Sequence, residues 1–467
     1  MDIPILIICY NNYKYVENTS IQILKINEAY YKNITILNNC STCVDTINYL
    51  NTVNVKVIHN VTNNGPWISP SDNTTLYNQL PNKFILTDPD LEFHENLPAN
   101  FIEILVNLSD KYQTSKIEFA LNISDHDDMF QISTYANNKS IYDHEIDFWV
   151  NKINDPCYEL YYAAIDTTFC LVDKTYTLDD ACNNNCVRIA GNFTAKHLPW
   201  YKNNKIFNVY ENYQLCNSTT TISTNSTHIS AYITNNYSKI IKNNEIFFID
   251  KTQNDPNLHF WENVYTNWEH ETFFTFDKFL DPSKIFIDIG GWIGTTCMYG
   301  SRKSKHVYSV EADNQSFKDM SKNLKTNCKN NYTLINKAIY NVDNIELKFG
   351  KNKFLNNSKM NDSTSQIYND ADDSCECYSV MSCTIQSVIY QHNINPQDIS
   401  LIKVDIEGGE EYILRDLYFI HSIYNVPLYI SFHYDWWKDK NLDKFTFLTD
   451  AHKRDIQINP FISILFN

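Results

Sequence analysis

Short apolar runs mark the chain as far as Tyr201, at Ile5 to Cys9, Ile34 to Leu37, Val55 to Ile58 and Phe84 to Leu86, each followed by a longer mixed segment. Runs of this length bounded by polar residues read as buried strands, and their alternation with longer segments predicts an α/β domain. Between the first two runs, Val16, Ile23 and Tyr30 recur at helical spacing, which predicts a helix packed on a sheet. From about Lys202 to Asn244 the pattern gives way to Asn, Ser and Thr, so a linker is expected there. A second series follows at Ile285 to Ile289, Val307 to Val310, Leu334 to Ile335, Ile345 to Phe349, Leu401 to Ile406 and Leu428 to Phe432. Phe317, Met320 and Leu324 share a helix face within it, and the polar, acidic Lys351 to Ser379 reads as a loop or insertion. The expected organisation is an α/β domain over residues 1–201, a linker over 202–244 and a second α/β domain over 245–467.

A formal net charge of −17 over 467 residues argues against a partner held by its phosphates, so nucleic acid and anionic membrane are poor first choices. The longest apolar run, Ile3 to Tyr10, is too short to span a bilayer, and Asp2 stands where a secretory signal needs a basic flank. The expectation is a cytoplasmic protein with no membrane span, in a host cytoplasm if the source is viral; the Asn, Ile, Lys and Tyr bias looks like AT-rich coding, as in intracellular parasites or large DNA viruses. Thirteen Cys without an export signal are expected to be free thiols. Cys40 with Cys43, Cys182 with Cys186, and the Cys375, Cys377, Cys383 group have loose zinc-ligand spacing, with no repeating pair. Glycine changes the picture most. Only 9 occur, and Gly290, Gly291, Gly294, Gly408 and Gly409 fall directly after strand-like runs, where a Cβ would obstruct the backbone.

The segment from Ile285 through Asp288, Gly290, Gly291 and Gly294 to Thr296 reads as a buried strand, an acid and glycines opening a helix. Glycines let the backbone press on a ligand, and the helix start offers free N–H groups. The strand Val307 to Val310 then ends in Glu311, at the distance where such folds place the carboxylate that binds a ribose diol. Further on, Asp405 and Glu407 lie two apart at a strand end and can project toward the same mouth, where they could also hold a metal. His433, at the end of another strand, suits removal of a hydroxyl proton or a satisfied core position, and Tyr434, Asp435, Trp436 and Trp437 beside it could form a sugar platform.

Four ordered motifs resemble the FkbM-type methyltransferases, S-adenosylmethionine-dependent O-methyltransferases with a Rossmann-like sheet. They are Trp268-Glu-His-Glu-Thr-Phe, Phe286-Ile-Asp-Ile-Gly-Gly-Trp-Ile-Gly, Tyr308-Ser-Val-Glu-Ala-Asp, and Ile402-Lys-Val-Asp-Ile-Glu-Gly-Gly-Glu with Ile430-Ser-Phe-His, within about Phe260 to Trp437. The resemblance implies a class I methyltransferase fold in which Asp288, Gly290 and Glu311 hold the cofactor, while Lys403, Asp405, Glu407 and His433 line the reaction side.

In the first domain, Tyr10-Asn11-Asn12 and Asn38-Asn39 follow successive strands, and Asn64-Gly65-Pro66 comes next; polar residues at such ends suit a nucleotide, with Tyr10, Asn12, Asn39 and Asn64 as its contacts. Asp88-Pro89-Asp90 follows the Phe84 strand, and two carboxylates so spaced can hold a divalent cation that neutralises a leaving diphosphate. This order looks like glycosyltransferases of the GT-A fold (family 2-like), which implies a nucleotide-sugar donor and Mn²⁺ or Mg²⁺ on the Asp-x-Asp motif. In that resemblance His197 is the third metal ligand, its alternative being packing on Trp200, and Glu145 and Asp166 are candidates for the base or for acceptor contacts. One departure is that Asn38-Asn39 stands where an acidic residue often follows the second strand.

The combined expectation is an α/β protein of two Rossmann-like domains, a bifunctional enzyme of glycan synthesis that transfers a sugar and methylates a hydroxyl. The alternative is an O-methyltransferase whose first domain only binds glycan. A nucleic-acid methyltransferase is disfavoured by the charge.

Overall fold

Strands of the first unit form where Ile- and Val-rich runs can be buried, and helices where the apolar spacing lengthens. The computed structural model describes residues 2–66, 68–70, 73–130, 139–165, 168–176, 186–201, 204, 206–217, 224–252, 255–351, 355, 363–368 and 377–467. Contacts divide the chain into two compact units, residues 1–207 with 216–230 and residues 208–215 with 231–467. Among the described residues, no helix is long and apolar enough to cross a membrane.

The first unit contains β1 (Ile5–Cys9), β2 (Ile34–Asn38), β3 (Lys56–His59), β4 (Lys83–Thr87), β5 (Leu91–Phe93), β6 (Lys116–Phe119), β7 (Lys152–Ile153), β8 (Leu160–Tyr162), β9 (Cys170–Asp173), β10 (Val187–Ile189) and β11 (Ala195–His197). Nine of these form one sheet in the order β3-β2-β1-β4-β9-β6-β10-β8-β7. The β3, β2, β1, β4 half is parallel, as expected for strands joined by helices, whereas β9 runs antiparallel to both β4 and β6. The helix Tyr13–Ile26 buries Val16 and Ile23 completely, and Tyr30 is buried from the short helix after it. β5 and β11 pair as a separate antiparallel ribbon.

The second unit opens with the hairpin β12 (Tyr237–Lys242) and β13 (Glu245–Asp250). The Asn/Ser/Thr-rich stretch expected as a linker thus contains helices Val209–Asn217 and Thr224–Asn236 and strand β12. Its composition conceals β12 because the strand buries a lysine, Lys242, beside Ile240. Lys242 is retained by donating to the carbonyls of Tyr265, Thr266 and Trp268 and by lying over the Phe273 ring at 4.2 Å.

The remaining strands are β14 (Ile285–Ile289), β15 (His306–Val310), β16 (Tyr332–Ile335), β17 (Ala338–Ile339), β18 (Glu346–Gly350), β19 (Gln366–Tyr368), β20 (Cys377–Cys383), β21 (Ile399–Val404), β22 (Leu428–Ser431) and β23 (Ser463–Phe466). The main sheet has the order β16-β15-β14-β21-β22-β23, parallel except for the antiparallel edge β23. β18 leaves this series for a side sheet, β17-β20-β18-β19. Its burial alternates while β21 is buried at every position, which is the difference between a one-faced and a central strand. Met320 and Leu324 are fully buried on the helix Asn314–Asn327, as their spacing requires.

One buried charge cluster secures the first unit. Arg188, central in β10, pairs with Glu118 and with Glu145 at 2.9 Å each, and all three side chains are almost fully buried. Glu145 is therefore engaged inside the fold, which corrects its assignment as a base or acceptor contact; Asp166 lies outside the described residues. Removing the cation would leave two buried carboxylates uncompensated. Arg188→Met is expected to lower the unfolding free energy by about 3–5 kcal/mol in urea titration; a loss below about 1 kcal/mol would show that the pair is dispensable.

Candidate active site

The chain of the second unit leaves β14 to build outward through β15 and β16, then returns to β21 on the other side of β14. Such a reversal opens a crevice at the carboxyl ends of the strands. A cavity of about 490 Å³ lies there, lined by Gly290, Glu311, Lys403, Asp405, Glu407 and His433 among others. Gly290 follows β14 at φ +85°, and a Cβ on it would stand 1.8 Å from the Asp405 carbonyl oxygen, so no other residue fits. Glu311, at the end of β15, accepts the N–H groups of Trp292 and Asp313, each at 2.7 Å, and burial pushes its pKa up to about 7.

Three residues assigned to the cofactor from the sequence stand behind this wall. Asp288 is fully buried, accepts the Thr296 hydroxyl at 2.8 Å and faces Lys403 at 3.4 Å, so its work is to hold Lys403. A Cβ on Gly291 would meet the Ser309 Oγ at 2.3 Å and the Met320 sulfur at 2.7 Å, and one on Gly294 the Leu324 side chain at 3.0 Å. These two glycines serve close packing.

Lys403 is almost fully buried, donates to the Gly290 carbonyl at 2.8 Å and lies 3.7 Å from Asp405. Burial disfavours its charge, but Asp288, Asp405 and Glu269 outweigh burial and raise its pKa. His433 places Nδ1 3.0 Å from Oε1 of the fully buried Glu410 and Nε2 3.3 Å from Glu407 and 3.6 Å from Asp405. Burial alone would lower its pKa, yet Glu410, Glu407 and Asp405 raise it to about 10. His433 thus stands at the strand end expected for it, in contact with three carboxylates. Burial, ahead of its neighbours, raises the Glu407 pKa well above the usual carboxylate range.

Sequence reading passes over Glu269 and Glu410. Glu269 lines the cavity at φ +45°, with its pKa pushed up to about 7 by burial and by Asp405. Trp292 and Glu407, at φ +44° and +55°, line it too. Left-handed backbone at three non-glycine residues around one cavity is strain of the kind that collects at functional sites. The signal for Glu269 was its place beside Trp268 in a motif; Glu410 follows Gly408-Gly409 in another. Trp437 is buried with its Nε1 on Glu410 at 3.0 Å and is no platform, whereas Trp436 stacks on His433 at 5.0 Å and meets the exposed Phe461 at 5.2 Å.

In the first unit the order β3-β2-β1-β4 makes the same kind of reversal between β1 and β4. Asp88 and Asp90 follow β4, and the β5–β11 ribbon brings His197 opposite Leu91. One ligand atom from each of Asp88, Asp90 and His197 lies within 4.8 Å of the others. The loop is held from both sides. Buried Thr19 donates to the Pro89 carbonyl at 2.5 Å, and the Leu198 N–H donates to the Asp90 carbonyl at 2.8 Å. Asp90 Oδ1 is buried without a hydrogen bond, and burial pushes its pKa up to about 7. His197 faces Asp90 at 3.4 Å and also packs on Trp200 at 4.6 Å between ring centroids, so packing on Trp200 leaves it within reach of the acidic pair.

The nucleotide contacts expected in this unit are not all turned outward. Asn39 is buried, donates to the Gly65 carbonyl at 2.7 Å and accepts from Asn60 at 2.8 Å, so it organises the following loop. Asn12 accepts the Tyr10 N–H at 3.0 Å, and the exposed Asn64 accepts the Thr62 hydroxyl at 2.9 Å. Among the described residues, neither group of three or more potential metal ligands includes a cysteine. Cys182 and Cys375 lie outside them.

Residues 288–454 match the family model described as Methyltransferase FkbM domain. The matched stretch lies within the second unit and supports methylation with S-adenosylmethionine there. The match spans Gly290, Glu311, Lys403, Asp405, Glu407 and His433, and begins after the Glu269 side of the cavity. No curated protein sequence matches the chain. Among solved structures, the chain is similar to methyltransferase FkbM from Methylobacillus flagellatus KT, with 17% identity over 38% of each chain and a TM-score of 0.23. It is similar also to S. aureus TarS 1–349, with 15% identity over 38% of this chain and 48% of that one, at 0.22. M. jannaschii TYW2 in complex with AdoMet shares 16% identity over 22% and 43%, at 0.16. The chain spans between 30% and 40% of the length of the first three structures it matches. At these scores the likenesses carry no argument, and the assignment rests on the family match.

The ionised Glu311 carboxylate can accept two ribose hydroxyls, and its protonated form loses an acceptor. With a pKa of about 7, S-adenosylmethionine affinity is expected to rise about tenfold from pH 6 to pH 8. Calorimetry on the wild type and Glu311→Gln checks this, the variant binding weakly and without that pH dependence. A pH-independent wild type would remove Glu311 from the cofactor contacts.

Proposed function

We propose that the chain is a bifunctional enzyme of glycan synthesis. Its second unit, with a class I methyltransferase fold, transfers a methyl group from S-adenosylmethionine to a sugar hydroxyl. Its first unit, with a GT-A-like fold, transfers a sugar from a nucleotide donor. The observation that carries the methyl reading is the cavity at the chain reversal with Glu311 in its wall, within the matched residues.

When bound, S-adenosylmethionine supplies an electrophilic methyl group on a sulfonium sulfur. Gly290, in the cavity wall, would let the cofactor lie close to the protein backbone, and Glu311 would accept from its ribose hydroxyls. Glu269 takes the acceptor hydroxyl proton, because it lines the cavity with a pKa near neutrality, where proton transfer is most effective. His433 stands beside Asp405 and Glu407 at the end of a neighbouring strand and positions them. Trp436 and Phe461 offer an apolar face for a sugar ring. Glu269→Gln is expected to lower kcat for methylation by about 10²-fold or more while the cofactor Kd stays within a few-fold. Transfer of labelled methyl to a panel of glycosides, with binding measured on the same protein, checks this; an unchanged kcat would move the base elsewhere.

Support for the sugar-transfer half is the Asp88, Asp90 and His197 group at the other chain reversal. Nucleotide release from UDP-, GDP-, CMP- and dTDP-sugars should depend on Mn²⁺ or Mg²⁺, stop with EDTA, and fall at least 10²-fold in Asp88→Ala/Asp90→Ala. No turnover of any donor, in protein that binds S-adenosylmethionine, would favour a first unit that only binds glycan.

A further inference from the structure

The geometry points to a divalent cation of the Mg²⁺ or Mn²⁺ class held in the second unit by Asp405, Glu407 and Nε2 of His433. The site takes its purpose from the methyl-transfer reading, but its existence is argued from side-chain positions alone. One ligand atom from each residue lies within 4.8 Å of the others. The Nε2 separations of 3.3 Å from Glu407 and 3.6 Å from Asp405 are long for charge-assisted hydrogen bonds, which run at about 2.7–2.9 Å. They match the spacing of about 3.0–3.6 Å expected for two donors that each lie about 2.0–2.3 Å from one ion.

Two further observations support a ligand at this point. The first is the orientation of the imidazole. Its Nδ1 is fixed 3.0 Å from Oε1 of Glu410, whose side chain is fully buried and whose Oε2 accepts the Trp437 N–H at 3.0 Å. A carboxylate on Nδ1 sets the tautomer that presents a lone pair at Nε2, the arrangement by which proteins orient metal-binding histidines. The second is Glu407, whose Oε2 is buried with no hydrogen bond although its backbone is held left-handed at φ +55°. A strained residue aiming an unsatisfied oxygen at an imidazole nitrogen leaves room for an ion between them.

Two carboxylates and one imidazole form an oxygen-rich set that suits Mg²⁺ or Mn²⁺. Three protein donors leave positions open in a six-coordinate shell. Those positions face the cavity, where an acceptor hydroxyl can enter, and the cation would make that hydroxyl easier to deprotonate.

The test uses the full chain carrying Asp88→Ala/Asp90→Ala, which removes the acidic pair proposed to bind metal in the first unit, and Mn²⁺ as probe. Electron paramagnetic resonance and calorimetry should show one equivalent of Mn²⁺ bound. Adding Glu407→Gln or His433→Gln should weaken binding at least tenfold, and Glu410→Gln, at a carboxylate that holds His433 Nδ1 and the Ile406 and Gly408 N–H groups, about 10–100-fold. Thermal unfolding of each variant and its S-adenosylmethionine affinity are measured alongside. No saturable Mn²⁺ binding in protein that binds S-adenosylmethionine, or binding indifferent to Glu407→Gln and His433→Gln, overturns the site and leaves methyl transfer standing. Failure to bind S-adenosylmethionine overturns the methyl-transfer reading instead, whatever Mn²⁺ does.

Discussion

The second unit depends on one buried ammonium. Lys403 lies opposite Asp288 in the register of β14 and β21, and the carbonyl it bonds belongs to Gly290, one residue past the end of β14. An unpaired charge in that position would be untenable, so the carboxylates of Asp288 and Asp405 must stand on either side of it. That requirement fixes where the two strand ends meet, and with it the contact that only glycine permits at position 290. It also allows several carboxyl groups to crowd one cavity, because Lys403 offsets part of their repulsion.

Each unit solves a similar problem with different chemistry. Each reverses its strand order beside its first strand, and each puts acidic residues spaced by one at the carboxyl end of the strand that returns. In the first unit the loop is clamped by neutral groups, the Thr19 hydroxyl and the Leu198 N–H, which bind its backbone. In the second unit charged groups do the clamping. Asp90 is left with a buried oxygen that has no hydrogen bond, and Glu407 likewise. An unsatisfied carboxylate oxygen is costly in either setting.

Much of this was legible in the chain. Central strands such as β1 and β21 are buried along their whole length, and uninterrupted apolar runs reveal them. In a glycine-poor chain, Gly290 and Glu311 after successive strands mark the crevice, and Asp88-x-Asp90 marks the other. What stayed hidden is pairwise. Spacing shows that Glu145 follows a histidine but not that Arg188 reaches it, and a lysine in an Asn-rich stretch gives no sign that β12 buries it. Strand β18 has enough apolar residues to suit the main sheet, and its alternation indicates one buried face without telling which sheet that face serves. Asn39 sits at the expected strand end, yet its amide is consumed by Gly65 and Asn60. The surroundings of His433 are hidden most deeply, because its three carboxylate neighbours come from elsewhere on the chain.

The acidity that argues against nucleic acid takes a specific form inside the cavity. Asp288, Asp405 and Glu269 act on Lys403, and Asp405, Glu407 and Glu410 act on His433, so the wall carries more potential negative than positive charge. Burial resists that excess by raising the pKa of Glu269, Glu311 and Glu407, which holds part of it as neutral acid. A cationic ligand changes the balance. A cation near these groups would favour their ionised forms. Burial and a cationic ligand therefore act on these carboxyl groups in opposite directions, the one favouring the neutral acid and the other the carboxylate.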